Sequence, residues 1–279
     1  MYILPELPNK ILSRITEKLD FRSLMTLRKV CKDLRNFIDD IVPESSVISI
    51  RLNVNSEDVK LELEDSEIWS LSYSLFGQES VDVFWNDFGI ILKHQKKPLE
   101  KFSVTLEYPE NLKKLEKSIL ERTYSRFLNR LEEILNSLET PLKIQHLELD
   151  AQNQNGILPK ILPYFDFDKC RISVKTISEE LIRKLKDILL GSPNLETQTL
   201  ELHFEQIQDS NSEFLNSIFE NIFDGNYPDH FYQNRWYCRI PENEEWALSM
   251  RSDYLSWIIF SYVEILEIDR MKEEYEEFG

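Results

Sequence analysis

The period of the apolar positions changes along the chain, and each change marks a new kind of element. From Leu7 to Ile41 large apolar residues recur in steps of three and four. They fall at Leu7, Ile11, Leu12, Ile15 and Leu19, then at Leu24, Leu27, Val30, Cys31, Leu34, Phe37, Ile38 and Ile41. That is the spacing of one helical face, and the stretch has room for about three short helices. Asp20 stands where its carboxylate can accept from a free backbone N–H and start a helix near Phe21. Pro8 stands where a first helical turn tolerates its missing N–H. A unit of about 40 residues buries too little surface to be comfortable alone. Part of this apolar face must therefore be covered, either by the rest of the chain or by another protein.

After Pro43 the period becomes two. Val47, Ile48, Ile50, Leu52 and Val54 form one run, Val59, Leu61 and Leu63 a second, and Ile68 to Leu75 a third. Alternation with Ser, Arg, Asn, Lys and Glu predicts an antiparallel meander with one wet face. Residues 81–95 are rich in aromatics and fit a helix. From Leu99 onward a pattern of apolar-x4-apolar-x-apolar recurs four times: Leu99/Val104/Leu106, Leu142/Leu147/Leu149, Phe167/Ile172/Val174 and Leu195/Leu200/Leu202. Each set reads as a short strand, its last two apolar side chains on one side. Between the sets lie helical patterns at 115–138, at Ile157–Leu162 and at Leu181–Leu189, where Gly191 is placed as the C′ residue and Pro193 follows. A further helical pattern runs from Phe214 to Ile222.

Strand, helix, strand, helix predicts parallel strands joined by crossovers. The sets start 43, 25 and 28 residues apart, so the expected body is irregular and leucine-rich-repeat-like. Arg235–Pro241, Trp246–Met250 and Tyr254–Phe260 read as closing strands, and Ile265 to Phe278 as an acidic terminal helix.

The N-terminal stretch resembles an F-box. The residues that carry the resemblance are Leu7-Pro8, Ile11-Leu12, Ile15, Leu19, Leu24, Leu27, Val30-Cys31-Lys32 and Leu34-Arg35. The family's usual Trp is Leu34 here, and its usual acid is replaced by Asn9 or Lys10. Residues from about 100 to 262 are similar to the FTH domain of nematode F-box proteins of the A type. The points of contact are Phe127-Leu128 with Leu131, Leu147-Glu148-Leu149, Ile161-Leu162-Pro163-Tyr164 and Arg239-Ile240-Pro241. These resemblances imply an α+β chain in which a three-helix F-box at 1–42 precedes a β-rich connecting segment at 43–98 and a repeat-like α/β body at 99–279. They imply a non-catalytic substrate receptor of an SCF-type cullin ubiquitin ligase. It would bind the Skp adaptor through Leu7, Pro8, Ile11, Leu12, Ile15, Leu19, Leu24, Leu27, Val30 and Cys31, and hold a protein substrate on the body. The polar strand positions Thr105, Glu148, Ser173 and Glu201 are candidates for the substrate side.

Charge changes the picture of the partners. The net charge is −17; eight basic against six acidic residues leave +2 within 1–42 and −19 over the rest. An acidic body repels phosphate backbones, so nucleic acid is not an expected ligand. No apolar leader follows Met1, and the longest near-apolar run, Tyr254 to Val263, is strand-sized rather than membrane-sized. Cys31, Cys170 and Cys238 are odd in number and far apart, which fits a reducing compartment. The expected place is intracellular, cytoplasmic or nuclear, away from membranes.

The residues of catalysis do not assemble into a motif. The six glycines are never closer than 12 residues, so no phosphate-cradling loop can be written, and no GxSxG elbow occurs. His94, His146, His203 and His230 form no metal spacing, and neither a metal nor a cofactor is expected. His146 with Asp150 and His203 with Glu205 are carboxylate–imidazole neighbours of the kind used in acid–base work, and equally plain strand flanks. No motif marks Cys170 or Cys238 as a nucleophile with a histidine. Three readings stay open on these grounds: a receptor, an F-box scaffold unconnected with degradation, and a small hydrolase or transferase in which the N-terminal helices are core. They differ in whether the apolar face of residues 7–41 is open or covered.

Overall fold

The structure is a computed structural model and describes residues 7–41, 45, 47–65, 67–75, 78–109, 112–152, 154, 156–191, 198–207, 225–228, 234–240, 243–253, 257–266 and 268. The three N-terminal helices are α1 (Asn9–Thr16), α2 (Phe21–Arg28) and α3 (Lys32–Ile41). Asp20 caps α2 as expected, its Oδ1 accepting from the Ser23 N–H at 2.7 Å. Those hydrogen bonds from Ser23 hold the Asp20 carboxyl below the usual carboxylate range. Pro8 is the N-cap residue of α1 rather than its first helical residue, with φ −55° and ψ 140°. The proline ring fixes such a φ in either place.

The rest is one mixed sheet of 11 strands covered by helices on one face. β1 (Ser49–Val54), β2 (Asp58–Glu64) and β3 (Ile68–Ser74) form the expected antiparallel meander. Then come α4 (Gln78–Lys93), β4 (Leu99–Leu106), α5 (Lys114–Asn136), β5 (Leu142–Gln152), α6 (Leu158–Ile161) with a 3-10 turn at Leu162–Tyr164, β6 (Phe165–Ile177), α7 (Glu179–Leu190) and β7 (Thr199–Ile207). β8 (Gly225–Pro228), β9 (Asn234–Arg239), β10 (Trp246–Asp253) and β11 (Trp257–Glu264) close the sheet. The order across it is β3-β2-β1-β4-β5-β6-β7-β11-β10-β9-β8.

β1, β4, β5, β6 and β7 are parallel and step across the sheet in one direction. Right-handed crossovers taken repeatedly in one direction place every connecting helix on the same face. That is why these strands alternate apolar with polar residues, unlike parallel strands buried on both faces. The inward side is continuous across the sheet: Trp69, Leu63, Ile50, Phe102, Leu147, Cys170, Leu200, Phe260, Met250 and Trp236 lie in register on successive strands, and none is more than 6% exposed.

Three expectations shift in detail. The described residues of the four apolar sets lie on strands, but equivalent positions do not lie side by side. Val104, the middle of its set, pairs with Leu149, the end of the next, then with Ile172, a middle, and Leu202, an end. A five-then-two spacing fits either register, and the crossover helices decide. Segment 43–98 supplies β1 to β3, and β1 pairs directly with β4. Gly191 ends α7 as its C-cap with φ −87°, so no left-handed turn is made there. Ser178 caps the start of α7, its hydroxyl accepting from the Leu181 N–H. Pro193, Leu195, Pro241, the 214–222 helix, His230 and residues 254–256 and 269–279 lie outside the described residues.

α2 joins the helices to the body. Phe21 and Met25 belong to the sheet's own core, and Arg28 is 1% exposed. Arg28 Nε and Nη2 donate to the two Asp39 carboxylate oxygens of α3 at 2.7 and 3.2 Å, and Nη1 donates to Asp87 Oδ1 of α4 at 2.7 Å. Asp87 Oδ2 accepts from the Tyr73 hydroxyl of β3 at 2.9 Å and pairs with Lys29 Nζ at 3.1 Å. Burial, with the Asp87 charge alongside, pushes the Tyr73 phenol up, so it stays a donor.

Two stability outcomes follow. Arg28→Ala should destabilise the chain by about 3 kcal/mol in urea titration, the lower end for breaking a buried pair, because Lys29 and Tyr73 still hold Asp87. Gly89 sits inside α4, where an added Cβ meets only Ile134 Cδ1, at 3.9 Å. Gly89→Ala should therefore stabilise by about 0.5–1 kcal/mol in the same assay.

Candidate docking face

The helical spacing of residues 7–41 resolves into an inner and an outer set. Leu12, Phe21, Leu24, Met25, Leu34 and Ile38 are each 4% exposed or less. Leu34 fills an interior position of α3, at 1% exposure. Outward lie Ile11 at 45%, Val30 at 68% and Ile41 at 36% exposure. Pro8 is exposed beside them, and Leu7, Ile15, Leu19, Leu27, Cys31 and Phe37 are half-buried. Of the ten residues expected to dock, eight are thus wholly or partly open, while Leu12 and Leu24 point inward and hold the helices together. Among the described residues eight large apolar side chains are exposed, and three of them fall between 11 and 41. Single exposed apolar residues are ordinary; a group of them on one small unit marks a contact surface.

α2 meets the body through Phe21 and Met25, which belong to the core of the sheet. Phe21, Leu24, Met25 and Arg28 come at three- and four-residue steps and are all buried. Lys10, Arg14, Lys18, Lys32 and Arg35 are exposed on the same unit, as are Glu17, Asp20, Asp33 and Asp40.

The polar strand positions lie on the open face of the sheet, opposite the helices. Glu148, Arg171 and Glu201 are in register on β5, β6 and β7, and Thr105, Asp150, Ser173 and His203 form the next row. The rows are tied by cross-strand pairs: Lys101 to Glu148 at 2.6 Å, Arg171 to Glu201 at 3.1 Å, and Arg51 to Glu64 at 3.1 Å. Burial works to raise the Glu201 pKa, but His203 and Arg171 outweigh it and hold the carboxyl low. Desolvation leaves Asp150 above the usual carboxylate range.

The candidate chemical pairs are not assembled. His203 Nε2 approaches Glu201 at 3.4 Å, not Glu205, and the Asp150 carboxylate accepts from Gln152 rather than His146. Cys170 is buried under the helices, and burial pushes its thiol up, away from a nucleophilic thiolate. All three cysteines are free. Among the described residues no group of three His, Cys, Asp or Glu is placed to hold a metal, and no helix is long and apolar enough to cross a membrane.

The outer set sits on a unit of three short helices, and the family model of the F-box domain matches residues 4–44. Residues 4–44 are an F-box domain. No curated protein and no solved structure matches the chain. Sequence reasoning missed Arg28, Asp39, Tyr73 and Asp87, which join the F-box domain to α4 and β3 of the body. Charged residues in a helical pattern read as a solvated face, and Arg28 and Asp87 are far apart in the chain.

The inner and outer sets should separate in mutagenesis. Leu12→Ala should cost about 2–5 kcal/mol in urea unfolding, as a cavity in a packed interior. Val30→Asp should shift the same midpoint by no more than about 0.5 kcal/mol, as a surface change.

Proposed function

We propose that the chain is a substrate receptor of an SCF-type cullin ubiquitin ligase. The F-box domain docks on the Skp adaptor, and the sheet body carries a protein substrate. The observation that carries this reading is the outward apolar set, Pro8, Ile11, Val30 and Ile41 with half-buried Leu7, Ile15, Leu19, Leu27 and Cys31, on a unit matched as an F-box domain. Burying a large apolar side chain is worth roughly 1.5–3 kcal/mol. A handful of them supplies the apolar core of an interface with a charged, polar rim. The body adds proximity: it holds its cargo beside a conjugating enzyme and turns a bimolecular encounter into a local one.

The body is read as FTH type. The supporting residues are Phe127, Leu128 and Leu131, buried on α5, and Leu147 and Leu149, buried on β5. The one-directional parallel strands favour an open polar face for the substrate side, where Thr105, Glu148, Ser173 and Glu201 sit.

The test is a pull-down with a purified Skp adaptor. The full chain should be retained, and Ile11→Asp with Val30→Asp should lose retention by about tenfold or more while the chromatographic profile of the folded chain is unchanged. Retention of the double variant at the wild-type level would refute the docking assignment. Point variants serve better than removal of residues 1–42, because Phe21, Met25 and Arg28 are part of the body's own packing.

A further inference from the structure

We propose that the groove between the carbonyl ends of α4 and α5 binds an acidic peptide segment that carries an apolar side chain among its carboxylates. The groove encloses about 620 Å³, a volume that takes a few side chains. Gly89, Ile90, Ile134 and Leu138 supply its apolar part, and Lys93, Lys96, Lys97 and Lys143 stand around it, against the single acid Glu139. Four cations beside one anion are a local reversal in a chain of net charge −17.

Lys29, Lys60, Lys101, Lys117 and Lys184 all make ion pairs with carboxylates. Lys93, Lys96, Lys97 and Lys143 make none among the described residues. Lys93 lies in the last turn of α4 and answers that helix's own carbonyl end; the other three lie beyond it. A field of one sign over an apolar wall draws the opposite charge.

Gly89 is the second, independent observation. Its backbone needs no glycine and its surroundings leave room for a side chain, so packing does not account for it. A side chain there would enter the groove, and glycine keeps it open. The rim is also held in place. Gln95 Nε2 donates to the Val47 carbonyl at 2.9 Å and to the Lys97 carbonyl at 2.8 Å. Lys96 and Lys97 are thereby tied to the segment that leads from the F-box domain into β1. That the bound peptide belongs to a delivered substrate rests on the receptor reading above; the binding itself does not.

The experiment is fluorescence anisotropy of the full chain with a short labelled peptide of Asp and Glu around one Leu. Saturable binding that weakens with salt is expected. Lys96→Glu with Lys97→Glu should weaken it by about tenfold or more, and Gly89→Leu by a similar factor with an unchanged circular dichroism spectrum. Lys160→Glu with Lys175→Glu, which line no part of the groove, should leave it unchanged. Absence of saturable binding overturns the proposal. So does equal weakening by both charge pairs, or tighter binding of the same peptide with Lys in place of its acids. Adaptor retention of the unsubstituted full chain is measured separately. Its failure with peptide binding intact would sink the receptor reading and leave the groove standing.

Discussion

Arg28 is the joint on which the arrangement turns. Its planar fork meets Asp39 in the F-box domain and Asp87 in the body at the same time, and both distances are short only for one orientation of α2 between them. A buried ion pair adds little over apolar side chains of the same size. Its geometry, however, is far more exacting than theirs. Phe21 and Met25 provide the apolar area beneath it, while Tyr73 and Lys29 satisfy the remaining carboxylate oxygen. The outer helix faces are consequently presented at a fixed angle to the sheet, so what docks on them is held in a fixed relation to the groove and the open face.

The sheet follows from a simpler rule. Parallel strands added in one direction keep their helices on one side, so the other side must live with water. It does so with cross-strand charge, Lys101 with Glu148 and Arg171 with Glu201, whereas the covered side is a single apolar row from β3 to β9. The receptor reading therefore concerns three distinct surfaces: an apolar one on the F-box domain, a charged one on the sheet, and a lysine-rimmed groove between helices.

Much of this was legible from spacing. Threes and fours marked the helices, twos marked the strands, and Asp20 announced its own cap. Periodicity does not tell which of two helix sides looks outward, so Leu12 and Leu24 were grouped with Ile11 and Val30 although they face inward. The apolar sets fitted two registers, and only the crossovers choose between them. Arg28 and Asp87 were illegible for a different reason. A charged side chain becomes interior only when its partner arrives from another element, and nothing local signals that arrival. Gly89 was similarly silent, since a lone glycine in a helical pattern does not say what lies beside it.

The strand order also has a consequence for synthesis on the ribosome. β4 to β7 can each join the sheet as they emerge, because each pairs with the strand made just before it in the parallel series. β8, β9 and β10 cannot: among the described residues they reach β7 only through β11, which is made after all three. During that interval β7 is an unpaired edge with its backbone donors and acceptors open, a template for association with other chains. The vulnerable moment for this protein is thus the wait for β11, and substitutions at Trp257 to Phe260 that weaken its pairing would act on nascent-chain yield before they act on the finished fold.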